Sequence, residues 1–342
     1  MSFTPAERVA KKFGTGWIVD PRVSILIPVY NRKNLIGACI ESALRQTIAD
    51  IEVIACDNCS TDGTWDVLQD YARRDPRLRI VRNPQNLGPV RNWARCIEEA
   101  RAPHAKLLFS DDLMSPSFLE RTLPLIALPG VGLVFTACEI GENPGNAQLH
   151  FNFAGTPGAW DPGRFLIGHV FAYDVPVSPC AALFHTADLR DHLLTDGPAG
   201  VAQEFLRTGA GPDILLLLEA EHRHGRVAHV PEKLIFFRAH AGSITIQEND
   251  RVASLYRRAI TWFLAQNQPA LLRCYLSGIR WRMGEGKGMP EILKIMDDLE
   301  LSGSPLPKGI GYITDMLRRL RHSFYRRSPI QPHAQEPRRA SR

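Results

Sequence analysis

Residues 22–63 read RVSILIPVYNRKNLIGACIESALRQTIADIEVIACDNCSTDG, and their pattern recurs through much of the chain. Two short apolar runs, at 22–30 and 51–56, predict buried strands. Residues 31–46, between them, carry apolar side chains at helical spacing. A strand, a helix and a second strand with short connections predict a βαβ unit, and therefore a parallel sheet.

The alternation of helices and strands continues beyond this segment. Helices are predicted at 64–74, 88–101, 116–128 and 213–223. Strands are predicted at 78–81, 106–109, 131–138, 181–184, 226–230 and 234–238. After residue 250 the pattern is helical, at 252–266, 270–283, 290–301 and 310–325. The fold class is therefore α/β, with a mostly parallel central sheet flanked by helices and a C-terminal helical extension.

The predicted elements divide the chain into four segments. A lead-in at 1–20 precedes an α/β domain at 21–248, which is followed by a helical region at 249–327. The Pro- and Arg-rich segment 328–342 predicts a basic, disordered tail. Inside the α/β domain, residues 141–163 are rich in Gly, Pro and Asn, which predicts a long loop able to close over a ligand.

Basic charge is concentrated at the C-terminus. The chain has 342 residues and a formal net charge of +5, but residues 317–342 alone hold eight Arg against a single acid, Glu336. The rest of the chain, with 33 Lys and Arg against 35 Asp and Glu, is close to neutral. A neutral body argues against nucleic-acid binding. The basic tail is either solvated or attracted to anionic lipid headgroups, which would give peripheral membrane association.

Cysteine usage and hydropathy indicate the compartment. Seven cysteines at irregular spacing argue against a disulfide scaffold and for a reducing environment. Cys56 and Cys59 form a CxxC, but no second pair has metal spacing, so a zinc site is disfavoured. The first residues lack the apolar core of a signal peptide, and no segment approaches 18 apolar residues. We therefore expect a cytoplasmic protein, and the alternative to a solvated tail is peripheral attachment of that tail to the inner face of the membrane.

Polar side chains cluster where the predicted strands end. Pro28 and Tyr30 close the first strand, Asp57 follows the second, and Asp111 and Asp112 follow the fourth. In parallel α/β sheets the ligand lies beyond the carboxyl ends of the strands. This coincidence predicts a binding site at that edge.

The acid pair at 111–112 has two interpretations. Adjacent carboxylates at a strand end either form a solvated turn before the next helix, or bind a divalent cation together with phosphate oxygens. The position at the end of the fourth strand favours the cation.

Four other polar residues each have a structural and a functional interpretation. Asp57 either forms an Asx turn or accepts a hydrogen bond from a nucleotide base. Arg91 is either solvated or near a phosphate at a helix start. Asp213 either stabilises the dipole of its helix or acts as a general base. His240 is a structural group, a phosphate contact or a metal ligand.

Five segments, in order, carry a resemblance to a known family. They are VSILIPVYNR, IEVIACDNCSTDGT, NPQNLGPVRN, KLLFSDDLMSP and GPDILLLLEAEHRHGRVAHVPEKLIFFRAHAGSIT, and they span residues 22–245. Together they resemble the family 2 glycosyltransferases, which have the GT-A (nucleotide-diphospho-sugar transferase) fold. Each motif is weak alone, but the shared order makes the resemblance strong.

The resemblance implies a role for each candidate residue. Pro28, Tyr30 and Asp57 would hold the base of the nucleotide, expected to be uracil, with Arg91 near the base or the phosphates. Asp111 would contact the ribose. Asp112 would bind the divalent cation, Mn²⁺ or Mg²⁺, and His240 would assist at the metal or the diphosphate. Asp213 would deprotonate the acceptor hydroxyl in an inverting displacement.

Three positions depart from the family's usual pattern. Ser110 stands where a third acid is common in the metal motif, Pro212 stands before the base in place of an acid, and Asn58 replaces a frequent Asp. These departures bear on the metal requirement and on the identity of the nucleotide.

Rival functions share parts of this pattern. A sugar-nucleotidyltransferase would carry a Gly-rich phosphate loop after the first strand, where this chain reads PVYNRKN. A dinucleotide-dependent oxidoreductase would need GxGxxG there. A non-catalytic nucleotide-sugar-binding module would have lost an acid, whereas both Asp112 and Asp213 are present. We therefore expect a nucleotide-sugar donor and a saccharide or lipid-linked acceptor, in the synthesis of a surface polysaccharide or glycolipid.

Overall fold

The computed structural model describes residues 11–13, 16–18, 20–151, 155–171, 175–176, 178–240, 242–243 and 247–301. Its strands are β1 (Lys11–Phe13), β2 (Gly16–Ile18), β3 (Val23–Val29), β4 (Ile51–Asp57), β5 (Leu78–Arg82), β6 (His104–Leu107), β7 (Leu113–Met114), β8 (Val131–Gly141), β9 (Ala147–Phe151), β10 (Gly158–Ala159), β11 (Ala182–His185) and β12 (Arg226–Arg238). Its helices are α1 (Ile36–Leu44), α2 (Thr64–Arg74), α3 (Pro89–Glu99), α4 (Phe118–Ile126), α5 (Arg164–Phe171), α6 (Thr186–His192), α7 (Ala202–Thr208), α8 (Pro212–His224), α9 (Asn249–Asn267), α10 (Pro269–Met283) and α11 (Glu285–Asp298).

One half of the central sheet is parallel, as the sequence predicts. The order β6-β3-β4-β5 arises from three parallel pairings, and the register places Val29 beside Asp57 and Asp57 beside Arg82. Every residue of β3 and β4 is buried, because helices cover both faces of this half. The carboxyl ends of these strands therefore meet at a single edge.

The other half of the sheet is mixed. β11 pairs antiparallel with both β6 and β8, and so joins the parallel half to β8. β12 runs parallel to β8 over its whole length, with register shifts around Lys233. The two predicted strands at 226–230 and 234–238 are therefore one continuous strand, in which Pro231 falls at an irregular position where a lost ladder hydrogen bond is tolerated.

The segment 141–163 differs from its prediction as a loop. β9 pairs antiparallel with β8, and β10 pairs with β12, so part of this segment extends the sheet. The expected loop composition of Gly, Pro and Asn accounts for the turn at 142–146 and not for the strands. Residues 152–154 lie outside the described residues.

The C-terminal helices pack onto the α/β domain. One apolar cluster contains residues of α5, α7 and α8 together with residues of α9, α10 and α11, among them Phe205, Ile214, Phe263 and Leu276. The packing is thus continuous across the predicted boundary at residue 248. The predicted helix at 310–325 and the basic tail at 328–342 lie outside the described residues.

Hydropathy of the described helices bears on the membrane question. In the part of the chain that the structure covers, none of the helices has both the length and the apolar character needed to span a bilayer. The proposed peripheral attachment through the tail concerns residues outside that part.

Candidate functional site

A cavity of about 860 Å³ opens at the carboxyl edge of the sheet. The ends of β3 and β6, the first turn of α3, the start of α8 and one side of α9 form its walls. Five of the residues singled out from the sequence line it, namely Pro28, Tyr30, Asp111, Asp112 and Asp213. A cavity of this size, with apolar walls and a few polar groups, is typical of a small-molecule site.

The side chains of a histidine and an arginine contact the carboxylate of Asp111. Its Oδ2 lies 2.9 Å from Nε2 of His240 and 3.4 Å from Nε of Arg32. The backbone N–H of Gly242 donates to Nδ1 of His240 at 3.1 Å, so the neutral ring carries its hydrogen on Nε2 and donates it to Asp111. For His240 to bind a metal through Nε2, that hydrogen would have to leave.

Asp112 is buried beneath its neighbour. Its Oδ1 accepts a hydrogen bond from the backbone N–H of Arg238 at 3.0 Å, which fixes the carboxylate against the end of β12. Burial, followed by the nearby charge of Asp111, raises the pKa of Asp112 to about 8. The two acids repel each other, and a cation between them and a ligand would relieve that repulsion.

A fully buried lysine lies near this acid pair. The Nζ of Lys106, on β6, donates to the carbonyl of Leu107 at 2.7 Å and also to the carbonyl of Cys180. Burial lowers the pKa of Lys106, whereas the charge of Asp112 raises it. The lysine therefore partly balances the charge of Asp112 from inside the domain.

The acid pair fits a hard divalent cation better than a closed metal centre. Among the described residues, no group of three or more His, Cys, Asp or Glu side chains gathers as a metal site. Mg²⁺ and Mn²⁺ accept one or two carboxylates and complete their coordination with phosphate and water oxygens. Asp111 and Asp112 both line the cavity, so they offer the oxygen donors that such an ion needs.

Asp213 lines the same cavity from the first turn of α8. Its Oδ1 accepts hydrogen bonds from the backbone N–H groups of Gly211 at 2.8 Å and Ile214 at 2.7 Å. Its Oδ2 accepts one from the hydroxyl of Tyr256 at 2.8 Å. Burial raises the pKa of Asp213 to about 7, and these hydrogen bonds limit the rise. The carboxyl thus has the proton affinity of a general base that works near neutral pH.

The loop before α8 passes close to two aromatic rings. Gly211 has φ +111° and Gly209 has φ +78°, both in the left-handed region. An added Cβ would lie 2.5 Å from the ring of Phe205 at Gly211, and 2.4 Å from the ring of Trp93 at Gly209. Both glycines let the chain pass these rings and place Asp213 at the cavity wall.

Three other predicted residues do not line the cavity. Asp57 is fully buried, forms an ion pair with Arg82 at 3.1 Å, and accepts from the backbone N–H of Ser60. Arg91 lies on the exposed side of α3. His240 reaches the site through Asp111. Their proposed ligand contacts stay predictions.

The sequence assigns no contact to several residues of the site, although Asn58 is a departure from the family's usual pattern. Asn58 lines the cavity and ties together the loop around it, because it donates to Asn86 and accepts from Asn83 and from the backbone of Leu87. Arg32 follows a strand end by only three residues, which was an available signal. Tyr256 lies on a helix 43 residues after Asp213, and no local pattern marks it.

Sequence comparisons give the relatives of this chain. Residues 24–184 match the model of glycosyl transferase family 2. The chain is 40% identical over 104 residues to chondroitin synthase of Escherichia coli, covering 30% of this chain and 15% of that protein. It is 36% identical over 102 residues to the uncharacterized glycosyltransferase EpsJ of Bacillus subtilis (strain 168), covering 30% and 29%. It is 39% identical over 90 residues to UDP-Glc:alpha-D-GlcNAc-diphosphoundecaprenol beta-1,3-glucosyltransferase WfaP of Escherichia coli, covering 26% and 35%. The chain thus spans about a third or less of the length of these relatives.

Solved structures show the same fold. TarS 1–349 of S. aureus, in complex with UDP-GlcNAc, superposes with a TM-score of 0.63 at 16% identity, over 83% of this chain and 82% of that chain. The mannosyltransferase PcManGT of Pyrobaculum calidifontis, in complex with GDP-Man and Mn²⁺, superposes with a TM-score of 0.50 at 16% identity, over 90% and 81%. At this identity the likeness concerns the fold alone.

Proposed function

We propose that this chain, whose residues 24–184 match glycosyl transferase family 2, is an inverting enzyme with the GT-A fold that moves a sugar from a nucleoside diphosphate to an acceptor hydroxyl. The proposed donor is a UDP-sugar. The proposed acceptor is a saccharide or a lipid-linked saccharide, in the synthesis of a surface polysaccharide or glycolipid.

One observation carries this proposal. A single cavity contains both the acid pair Asp111–Asp112 on one wall and Asp213, with its raised pKa, on another. A binding module needs only the first of these features. A general base in the same cavity is what a transfer to a hydroxyl group requires.

The proposed chemistry uses the carboxyl of Asp213. Its Oδ1 already accepts two backbone hydrogen bonds, whereas Oδ2 accepts one from Tyr256 and keeps a lone pair for a proton. The acceptor oxygen forms a bond to the anomeric carbon and gives its proton to Oδ2. The bond from the anomeric carbon to the phosphate oxygen breaks at the same time, and its electron pair leaves with the nucleoside diphosphate.

The negative charge of the leaving group needs a partner. We propose that Asp112 is the main protein ligand of Mn²⁺ or Mg²⁺, with Asp111 close by at the ribose and His240 donating to Asp111. The bound ion would neutralise the diphosphate as it leaves. The carboxylate of Asp112 is held in place by the backbone of Arg238 and faces the cavity.

The nucleotide would occupy the side of the cavity near β3. Tyr30 is 40% exposed, which leaves its ring available to a base, and Pro28 and Asn58 complete this wall. Asp57, behind the wall, would need to exchange its contacts with Arg82 or Ser60 to reach a base edge. Arg91 would need the first turn of α3 to shift.

Two lines of support favour uracil over guanine. WfaP is named as a UDP-Glc-dependent enzyme, and TarS was solved with UDP-GlcNAc. PcManGT, with a lower TM-score, was solved with GDP-Man and Mn²⁺. We therefore propose UDP as the nucleotide of the donor, with GDP as the second candidate. We also propose a cytoplasmic location, with attachment to the inner face of the membrane through the basic C-terminus.

A nucleotide panel tests the proposal. The thermal midpoint of the wild type would be measured with UDP, GDP and dTDP, each with Mn²⁺ or with EDTA. A ligand at a hundred times its dissociation constant adds about 2.7 kcal/mol of stability. We expect a shift with UDP and Mn²⁺ that Asp112→Asn greatly reduces.

A matched control is available on α2. Asp70 lies on that helix, pairs with Arg73 and is absent from the cavity lining, so Asp70→Asn should respond to UDP as the wild type does. A wild type that no nucleotide stabilises, under either metal condition, would contradict the proposed function.

A further inference from the structure

Arg32 has a position that the fold fixes independently of its side chain. Its backbone N–H donates to Oγ1 of Thr64 at 2.8 Å, and its carbonyl accepts from the N–H groups of Leu35 and Ile36 at 2.9 Å. The preceding residue, Asn31, has φ +51° and is tied to the loop after β4 through Ser60. The guanidinium group is therefore presented to the cavity by a rigid backbone.

The guanidinium of Arg32 has few partners for its five donors. Its Nε is buried and, within the part of the chain that the structure describes, makes no hydrogen bond. The nearest carboxylate oxygen, Oδ2 of Asp111, lies at 3.4 Å, which is an ion pair with poor hydrogen-bond geometry. Its Nη1 makes long contacts of 3.5 and 3.3 Å with the carbonyls of Tyr30 and Asn31. The guanidinium of Arg32 is therefore charged, held at the cavity, and still able to donate hydrogen bonds to a ligand.

The other two arginines that line the cavity have different partners. Arg207 makes two hydrogen bonds to the carboxylate of Glu248, at 2.9 and 2.6 Å. Arg238 donates from Nε to the carbonyl of Asp111 at 3.1 Å, and from Nη1 to the carbonyl of Glu142. Of the three, Arg32 alone has a buried guanidinium nitrogen that makes no hydrogen bond within the described residues.

The charge around Asp111 is consequently balanced before any metal ion arrives. Arg32 and His240 both face the same oxygen, Oδ2, of this residue. An anionic ligand at the acid pair meets two carboxylates, and Lys106 balances them only in part and from inside the domain. Arg32 adds a positive charge on the side of the cavity.

We propose that Arg32 is a built-in cation of the donor site, which binds the diphosphate of the nucleotide and gives the chain a component of nucleotide affinity that does not require a metal ion. The inference deepens the proposed function and rests on it. A planar guanidinium is suited to two oxygens of a phosphate group, and its charge does not titrate in the physiological range.

Calorimetry with two probes and two metal conditions tests this proposal. UDP and uridine would be titrated into the wild type and into Arg32→Gln and Arg32→Lys, in EDTA and in Mn²⁺, with GDP and guanosine as the second pair. We expect Arg32→Gln to weaken UDP binding in EDTA at least about tenfold, because a charge-assisted hydrogen bond is lost. In Mn²⁺ the loss should be several-fold smaller, and uridine should bind all variants equally.

Two variants keep the outcome interpretable. Arg32→Lys retains the charge and should bind UDP in EDTA better than Arg32→Gln does. Arg45→Gln removes a largely exposed arginine just after α1 and should match the wild type. An Arg32→Gln variant that binds UDP in EDTA like the wild type, or that loses uridine as strongly as UDP, overturns the inference while the proposed function stands. A wild type that binds neither nucleotide in Mn²⁺ overturns both.

Discussion

The two halves of the sheet place their functional side chains in different ways. In the parallel half, Tyr30 and Asp111 lie within a few residues of the strands that carry them, and α/β alternation brings them to one edge. In the mixed half, Asp213 depends on a glycine-dependent turn and on Tyr256, 43 residues further along. The donor-site residues of the parallel half are placed by the strands that they directly follow, whereas the base of the mixed half is placed by a contact with a residue far along the chain. We therefore expect substitutions to affect donor binding and base chemistry separately.

The largest difference between the effect on turnover and the effect on UDP binding is expected for Asp213→Asn. Loss of a general base lowers turnover by about 10²- to 10⁴-fold, whereas UDP binding should stay within about twofold, because the acid pair is untouched. Donor turnover and UDP calorimetry on the same preparation measure both. A variant that keeps its turnover would show that Asp213 is a structural acid, and one that loses UDP binding would show that the halves are not separable.

A pH-dependent stability difference is expected next. The pKa of Asp213 is raised to about 7 in the folded chain from an ordinary value of 3.8, so the folded state holds this proton more tightly than the unfolded state does. The wild type then loses stability as pH rises from about 4 to 7, and Asp213→Asn does not share this loss. At about 1.4 kcal/mol per pKa unit, the advantage of the variant should grow by up to roughly 4 kcal/mol over that range.

Urea unfolding of both proteins at pH 5 and pH 8 measures this difference. Other buried acids, such as Asp112, titrate in both proteins and therefore cancel in the comparison. A variant whose relative stability is the same at both pH values would contradict the raised pKa of Asp213.

The turn that presents Asp213 should be intolerant of a side chain. Gly211→Ala forces a residue with Cβ into a φ of +111° and against the ring of Phe205, which should destabilise the chain by about 1–3 kcal/mol. Gly158→Ala is the matched control, since its Cβ would meet nothing within 4 Å. Denaturant midpoints compare the two, and equal stability would indicate that the turn relaxes easily.

The smallest effect is expected for Tyr256→Phe. The hydroxyl donates to the ionised carboxylate of Asp213 and so lowers its pKa, and its removal should raise that pKa further. Turnover should fall a few-fold at pH 6, fall less at pH 8, and show an acid limb displaced to higher pH. A pH–rate profile identical to that of the wild type would mean that Tyr256 only packs against the site.

The contrast between the halves also explains what the sequence could predict. The helix at 64–74 and the starts of the strands at 51, 78 and 131 agree with the structure, because apolar period and short connections are local signals. The acid pair and Asp213 were identified from position along strands and helices and from the family resemblance, and the structure brings them to one cavity.

Distant contacts account for what the sequence did not reveal. α5, α6 and α7 were not predicted, since they are short, and α5 and α7 pack into a core shared with helices far along the chain. The strands within 141–163 form because β8 and β12 offer edges to pair with, which no local pattern records. Asp57 looked exposed to a ligand from its position at a strand end, but its partner Arg82, on the neighbouring strand, buries it behind the wall.

The most direct test of the account is a crystal structure of this chain with UDP and Mn²⁺. We expect the base beside Tyr30, the metal ion on Asp112, and the diphosphate between that ion and Arg32, with Asp213 facing the part of the cavity left open. A nucleotide bound outside this cavity, or one whose diphosphate lies against Asp213, would contradict the claim that donor site and base share it.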